Sequence, residues 1–284
     1  MKKVRIFGFL LLSISMLAAC GDEKTGGDAK LIRVGVANEA PYGYMDMEKD
    51  EVTGANPEIA RAVFQSMGYE DIQGEVADFG SLIQGVNAGN FDVVTAGMDI
   101  RKERCENGNF ADIEIQYGEG MAVAAGNPLN LRSYEDIAKN RDVKVAVMAG
   151  ANQIDMLKSL GVDDSQLVIA DDIPANIAAL ESGKADAMVA TDATVNAAVQ
   201  NAHTDKIIFV DDFTQPLIEG VPQVAYGAAV FPLTEEGEQL RDEYNEALAK
   251  LIESGELLEI IEAFGFTEAN LPPTDITTEQ RCNM

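Results

Sequence analysis

Gly89-Asn-Phe-Asp92-Val-Val-Thr-Ala-Gly97-Met-Asp99-Ile-Arg101-Lys-Glu-Arg104 reads as the end of one helix, a buried strand, a glycine-bearing loop and the start of a new helix. Gly89 can stop the preceding helix in the left-handed conformation that other residues adopt at a cost. Phe91 to Ala96 is a short, mostly apolar run suited to a parallel strand buried on both faces. Gly97 opens the loop, where a residue without a side chain lets the backbone come close to a ligand. A helix beginning at Arg101 to Arg104 brings free N–H groups and a guanidinium toward one anion. The stretch therefore predicts an α/β fold with a binding site at a strand end.

The same order returns in Leu180-Glu-Ser-Gly183-Lys-Ala-Asp186-Ala-Met-Val-Ala-Thr191-Asp192. With Gly89 aligned on Gly183, Asp92 falls on Asp186 and the Gly97-Met98-Asp99 loop falls on Thr191-Asp192-Ala193. Two similar units then each offer a strand-end loop; the plainer alternative is the likeness that any two βα units share.

At the N-terminus, Met1-Lys-Lys-Val-Arg5 is basic, Ile6 to Ala19 is apolar or small, and Leu17-Ala-Ala-Cys20 closes the segment. That run is shorter than the roughly 20 residues a membrane span needs and has the length of a secretion-signal core. Leu17-Ala-Ala-Cys20-Gly21 is similar to the bacterial lipobox, so residues 1–19 are expected to be a lipoprotein signal peptide and Cys20 the lipidated residue; an ordinary signal peptide would leave Cys20 a free thiol. Residues 20–30, small and polar without apolar periodicity, read as a flexible tether.

The chain has 284 residues, 21 basic and 48 acidic, for a formal charge of −27, and the signal takes away Lys2, Lys3 and Arg5 but no acid. Such a surface argues against nucleic acid or an anionic membrane as partner, leaving membrane attachment to the lipid alone. An acidic surface suits high salt, and equally an acidic outlier from an ordinary habitat. With Cys20 committed to lipid, Cys105 and Cys282 remain, and an even pair in an exported chain points to a disulfide.

Leu31 to Ala37 is a first buried strand, followed by the polar, aromatic loop Asn38-Glu39-Ala-Pro-Tyr42-Gly-Tyr44 at the end where ligands bind in open α/β sheets. Asn56 and Pro57 begin a helix as N-cap and first residue, with Ile59, Ala60, Val63, Phe64 and Met67 on one face. Glu75 to Phe79 is a second strand and Gly80-Ser81 opens the next helix. The strand Glu119 to Ala125 is expected to make the first crossing between lobes. A second α/β lobe then opens on the capping box Ser133 to Asp136 and carries the loop Gly150-Ala-Asn152. The strand Gln223 to Phe231 and a long amphipathic helix from Leu233 onward return to the first lobe. Lobe 1 is thus residues 31–123 and 224–284, and lobe 2 residues 124–223, with a cleft between them that hinges.

No Cys-x-x-Cys, Gly-x-Ser-x-Gly or phosphate-loop motif occurs, and the single histidine, His203, lies in a polar segment, so no metal, cofactor or catalytic nucleophile is expected. What gathers at strand ends is Glu39, Tyr42, Tyr44, Phe79, Gly97, Asp99 and Arg104, with Asn152, Thr191 and Asp192 from the second lobe. That set suits a small zwitterion. Arg104 is matched to a carboxylate by a two-pronged charge-assisted bond, Glu39 and Asp192 to a cation, and the aromatic faces to a delocalised charge.

These motifs, with Gly89-Asn-Phe-Asp-Val-Val94 and Gly97-Met-Asp-Ile-Arg-Lys-Glu-Arg104 foremost, make the chain resemble the cluster 3 (polar amino-acid type) solute-binding proteins of ABC importers. Asn38-Glu39-Ala-Pro-Tyr42, Gly54-Ala-Asn-Pro-Glu-Ile-Ala-Arg-Ala-Val63 and Gly97 to Cys105 look most like its ectoine/hydroxyectoine branch. The resemblance implies the two-lobed periplasmic-binding-protein fold with two crossing segments. It also implies an exported, lipid-anchored monomer that hands its solute to a permease and its ATPase, without catalysis. Carried over, the pocket acid falls on Glu39, the aromatic cage on Tyr42 and Phe79, the carboxylate-binding arginine on Arg104, and the wider family's second-lobe acid on Asp192. One position departs: Asp99 stands where the branch has an aromatic ring. An aspartate there favours extra positive charge or a hydroxyl on the ligand, which keeps hydroxyectoine, a polar or cationic amino acid and other compatible solutes in view beside ectoine. The same fold also serves periplasmic dehydratases and sensor input domains.

Overall fold

The structure, a computed structural model, describes residues 30–284, so the signal peptide, Cys20 and most of the tether lie outside the described residues. Two mixed sheets of like design carry the chain. In the first, the strands run in the order Asp71–Val76, Leu31–Val36, Val93–Asp99, Ala225–Phe231 and Asn109–Phe110, with Ile115–Tyr117 also paired to Ala225–Phe231. In the second the order is Leu167–Ala170, Val145–Met148, Ala187–Thr191, Glu119–Ala124 and Ile207–Phe209. The first three strands of each are parallel, and the fourth, Ala225–Phe231 or Glu119–Ala124, is antiparallel to the third. The result is a two-lobed α/β periplasmic-binding-protein fold.

Glu119–Ala124 hydrogen-bonds on both sides within the second sheet, so the chain crosses at Tyr117-Gly118, before this strand, whereas the strand itself was expected to make the crossing. An apolar strand reads the same in either lobe; only its partners Ala187–Thr191 and Ile207–Phe209 decide. Gln215, on the return crossing, holds the outgoing one: its amide oxygen accepts from the Glu119 N–H at 2.8 Å and its amide nitrogen donates to the Glu119 carbonyl at 2.8 Å.

The duplication seen in the sequence has a structural counterpart. Gly89 and Gly183 both sit at positive φ, 76° and 72°, ending their helices. Asp92 accepts from the Arg33 N–H at 2.9 Å, and Asp186 accepts from the Lys144 N–H at 2.8 Å, each pinning the start of the neighbouring parallel strand.

The helix Ala55–Ser66 buries Ile59, Ala60, Val63 and Phe64 against the first sheet, as its periodicity predicts, and Ile59, Val63 and Phe64 each contribute about 1.5 to 3 kcal/mol. Asn56 is not its cap. Gly54 takes that place, and the Asn56 side chain turns inward to donate to Glu114 at 2.7 Å, while the Tyr244 hydroxyl donates to the other Glu114 oxygen. Glu114 is fully buried with no cation beside it among the described residues, and burial pushes its carboxyl up to about 7. The long helix runs Glu235–Ser254, capped by Thr234 and ended by Gly255 at φ 84°.

Cys105 and Cys282 form a disulfide with Cα atoms 5.7 Å apart, across a separation of 177 residues. It joins the short helix Lys102–Cys105 to the C-terminal helix Thr278–Cys282, whose Thr278 hydroxyl also donates to the Ala111 carbonyl at 2.8 Å. Cys282→Ser, compared with wild type in urea, is expected to lose about 2 to 4 kcal/mol of stability, because the open chain regains the entropy of a long loop. An unchanged unfolding midpoint would show that the tail is held by its packing alone.

Candidate functional site

The C-terminal ends of the parallel strands of both sheets face each other across the lobes. There they enclose a small cavity of about 30 Å³. The first lobe lines it with Glu39, Tyr42, Phe79, Ala96, Gly97, Asp99, Arg104 and Tyr117, and the second with Met148, Ala151, Asn152, Gln153 and Thr191. Of the residues expected at the site, Glu39, Tyr42, Phe79, Gly97, Asp99, Arg104, Asn152 and Thr191 are thus brought together. Tyr44 falls instead in the short hairpin strand Tyr44–Asp46. Asp192 follows Thr191, the N-cap of the helix Asp192–Asn201, and its own Oδ1 accepts from the Ala193 N–H at 2.7 Å, beside the lining rather than in it.

Local backbone chemistry sets these positions. The loop after Leu31–Val36 closes on itself through Glu39 N–H to Gly43 O at 2.8 Å and Gly43 N–H to Glu39 O at 2.9 Å, presenting Glu39 and Tyr42 to the cavity. Gly97 does not open a loop; the strand Val93–Asp99 continues through it at φ 57°. A Cβ there would lie 2.6 Å from the Tyr42 ring and 3.0 Å from Asn56 Oδ1, so only glycine lets strand and ring pack. The helix after it is a single turn, Lys102–Cys105, and Arg104, not a helix terminus, supplies the positive charge.

Three rings bound the cavity. Tyr42 and Tyr117 meet edge-on with centroids 5.2 Å apart, and the Tyr117 hydroxyl donates to the Gly97 carbonyl at 2.7 Å. The Tyr42 hydroxyl is buried with no hydrogen bond to any of the described residues within normal geometry. Phe79 lies under the Arg104 guanidinium, 5.4 Å from its centre.

Arg104 donates to two backbone carbonyls, Asp99 at 3.0 Å and Gly150 of the second lobe at 3.0 Å, and among the described residues no carboxylate lies within ion-pair distance of it. The carboxylates lie deeper. Glu39 is buried, accepts from the Thr194 hydroxyl at 2.7 Å, has no Lys or Arg beside it among the described residues, and is pushed by burial up to about 7. Glu119, behind Gln153, accepts from that amide at 2.7 Å and from the Tyr134 hydroxyl at 3.1 Å, and burial pushes it up to about 8. Burial raises Asp192 as well.

Asp99 has a different place from the one its position in the motif implies. Its Oδ1 accepts from the Tyr226 N–H at 3.0 Å and its Oδ2 from the Asn152 side chain at 3.1 Å, so both oxygens are engaged by protein, the second across the cleft. Burial still raises its carboxyl, with Arg104 opposing the rise. Tyr117, Gln153, Met148, Ala96 and Ala151 escaped the sequence reading. Gln153 adjoins Asn152, a usable hint; Tyr117 gives none until Tyr117-Gly118 is known to be the crossing.

Two like sheets, two crossings and a polar cavity at the facing strand ends define a two-lobed protein that captures a small polar solute by closure. The chain belongs to the bacterial extracellular solute-binding proteins, family 3, which match residues 32–268. It is 38% identical over 258 residues, covering 89% of this chain and 83% of the relative, to a probable amino-acid ABC transporter periplasmic-binding protein, y4tE, of Sinorhizobium fredii (strain NBRC 101917 / NGR234). It is 25% identical over 249 residues to the arginine-binding extracellular protein ArtP of Bacillus subtilis (strain 168), covering 85% and 89%. Among solved structures it is similar to EhuB in complex with hydroxyectoine, at TM-score 0.79 and 30% identity, covering 89% of this chain and 94% of that one. An ancestral arginine-binding protein bound to arginine gives TM-score 0.70 at 25% identity, covering 83% and 98%. The family consists of extracytoplasmic binding proteins that serve ABC importers, so this chain binds rather than transforms its solute, and membership implies a permease and ATPase as partners.

Proposed function

We propose that the captured solute is a compact zwitterion of the hydroxyectoine type. The observation that carries this is a pair of groups of opposite charge type, Arg104 without a carboxylate and Glu39 without a cation among the described residues, both lining one cavity. At about 30 Å³ that cavity has room only for water in this closed form, so the solute enters by parting of the lobes and holds them further apart. A ligand carboxylate on Arg104 and a delocalised cation against Glu39, flanked by Tyr42, Phe79 and Tyr117, satisfies both groups, with Asp192 adding negative charge at the edge. A ligand hydroxyl finds polar partners in Asn152 and Thr191. The likeness to EhuB, whose structure holds hydroxyectoine, supports the assignment. An amino acid with a cationic side chain is the second reading, favoured by the surplus of buried carboxylates, Asp99 and Glu119 among them. On this proposal the mature protein is a monomer tethered through lipidated Cys20 and residues 20–30, facing its permease from the periplasm or cell surface.

Calorimetry with hydroxyectoine, ectoine, betaine, arginine, lysine and glutamine tests the assignment. Hydroxyectoine is expected to bind most tightly, ectoine less so, and betaine, which lacks any N–H donor for Glu39, weakly or not at all. Preference for arginine or lysine would move the assignment to the second reading, and preference for glutamine or betaine would overturn both.

A further inference from the structure

The two lobes touch in places that a solute held in the cavity would not reach. Arg101, on the strand-to-helix connection of the first lobe, is paired by its Nη1 with Asp155 Oδ2 of the second lobe at 3.2 Å, and by its Nε with neighbouring Glu103 at 2.8 Å. Asp155 belongs to the first turn of the helix Gln153–Ser159, and neither Arg101 nor Asp155 lines the cavity. Beside this pair, Arg104 bonds the Gly150 carbonyl and Asn152 bonds Asp99, both across the cleft. The backbones also meet: a Cβ on Gly150, which sits at φ 78°, would lie 2.6 Å from the Gly80 Cα. Residues 99–104 of one lobe and 150–155 of the other therefore form a continuous protein-to-protein contact next to the cavity.

We propose that Arg101 and Asp155 are positioning residues for solute capture: a latch that holds the lobes closed from outside the cavity, so that part of the closure is independent of the solute. A protein that visits the closed form when free captures its solute partly by selecting that form, and a ligand's apparent affinity scales with the fraction of competent molecules. The pair is only partly buried, with side chains 25% and 65% exposed, so its effect is several-fold rather than orders of magnitude. It sets how long the cleft stays shut and leaves the choice of solute to the lining. This inference needs only lobe closure and does not rest on the identity of the solute.

Single-molecule energy transfer between dyes on exposed positions of the two lobes, in solute-free protein, measures the closed-to-open ratio directly. In Asp155→Asn and in Arg101→Gln the ratio is expected to fall about three- to fivefold. The double variant is expected to fall no further than either single one, since both remove one interaction. The swap Arg101→Asp with Asp155→Arg is expected to recover part of the ratio, and 0.5 M salt to lower it in wild type but not in the variants. Gly150→Ala, which places a methyl between the two backbones, is expected to remove the closed form. A ratio unchanged in both single variants would overturn the latch, as would a double variant that falls by the product of the two.

Discussion

Arg104→Ala is expected to weaken solute binding by about thirtyfold to several thousandfold, the 2 to 5 kcal/mol that follows when one partner of a desolvated charge pair is removed. The guanidinium lies over Phe79 and is held by the Asp99 and Gly150 carbonyls, which fix its plane and leave its remaining N–H groups for a carboxylate. Its loss would leave a ligand carboxylate in a cavity whose other charged groups, Glu39 and Asp99, are acids. Arg104→Lys keeps the charge but cannot hold both carbonyls and grip a carboxylate with two parallel bonds, so it should recover only a small part. Because Arg104 also bridges the lobes, titration of the tightest-binding panel solute is to be read alongside the closed fraction of the free protein. A loss of affinity far larger than the loss of closed form places the effect on the carboxylate. Binding within a few-fold of wild type would remove Arg104 from the site.

Affinity is also expected to fall about fiftyfold between pH 7 and pH 5, approaching tenfold for each unit only below about pH 6, provided the ligand cation requires ionised Glu39. In the closed form burial holds the Glu39 carboxyl near 7, its one hydrogen bond from Thr194 opposing the shift only in part, and Tyr42, Tyr117 and Asp192 nearby offer no positive charge. A cation arriving against it expels the proton. Capture at pH 6 should therefore release close to one proton, visible as a dependence of the calorimetric heat on the buffer's ionisation enthalpy. Glu39→Gln should flatten the profile and bind at pH 8 about as weakly as wild type does in acid. Fold stability moves the opposite way. A carboxyl whose folded value lies above its ordinary 4.5 favours the fold below 4.5, and that contribution is lost as pH rises through about 7. An affinity independent of pH from 5 to 8 would place the cation away from Glu39.

Much of the site was legible because glycine, proline and charge leave marks on local sequence. The helix-ending glycines, the short apolar strands and the polar loops after them located Glu39, Tyr42, Phe79, Gly97, Asp99, Arg104, Asn152 and Thr191 at strand ends, and the fold brings those ends together. The misreadings have one cause. Asn56 has the signature of a cap, yet its side chain satisfies a buried carboxylate 58 residues away, and no local pattern announces Glu114 as that partner. Gly97 was expected to begin a loop, yet the strand Ala225–Phe231, added from the far end of the chain, extends the pairing to Asp99.

Amino-acid order alone determined the α/β alternation, the duplicated unit around Gly89 and Gly183 and the kinds of charge available for a ligand, and it pointed to a Cys105–Cys282 pair that the structure shows. Those features depend on backbone preference, apolar periodicity and residue counting, all of which act over short stretches or over composition. Tertiary structure decided which lobe owns Glu119–Ala124, and that Asp99 is spent on Tyr226 and Asn152. It also decided that Glu39 and Glu119 lie where burial raises them, and that Arg101 meets Asp155. Each of these is a contact or a desolvation between segments remote in sequence, and its energy exists only once the chain has closed the distance.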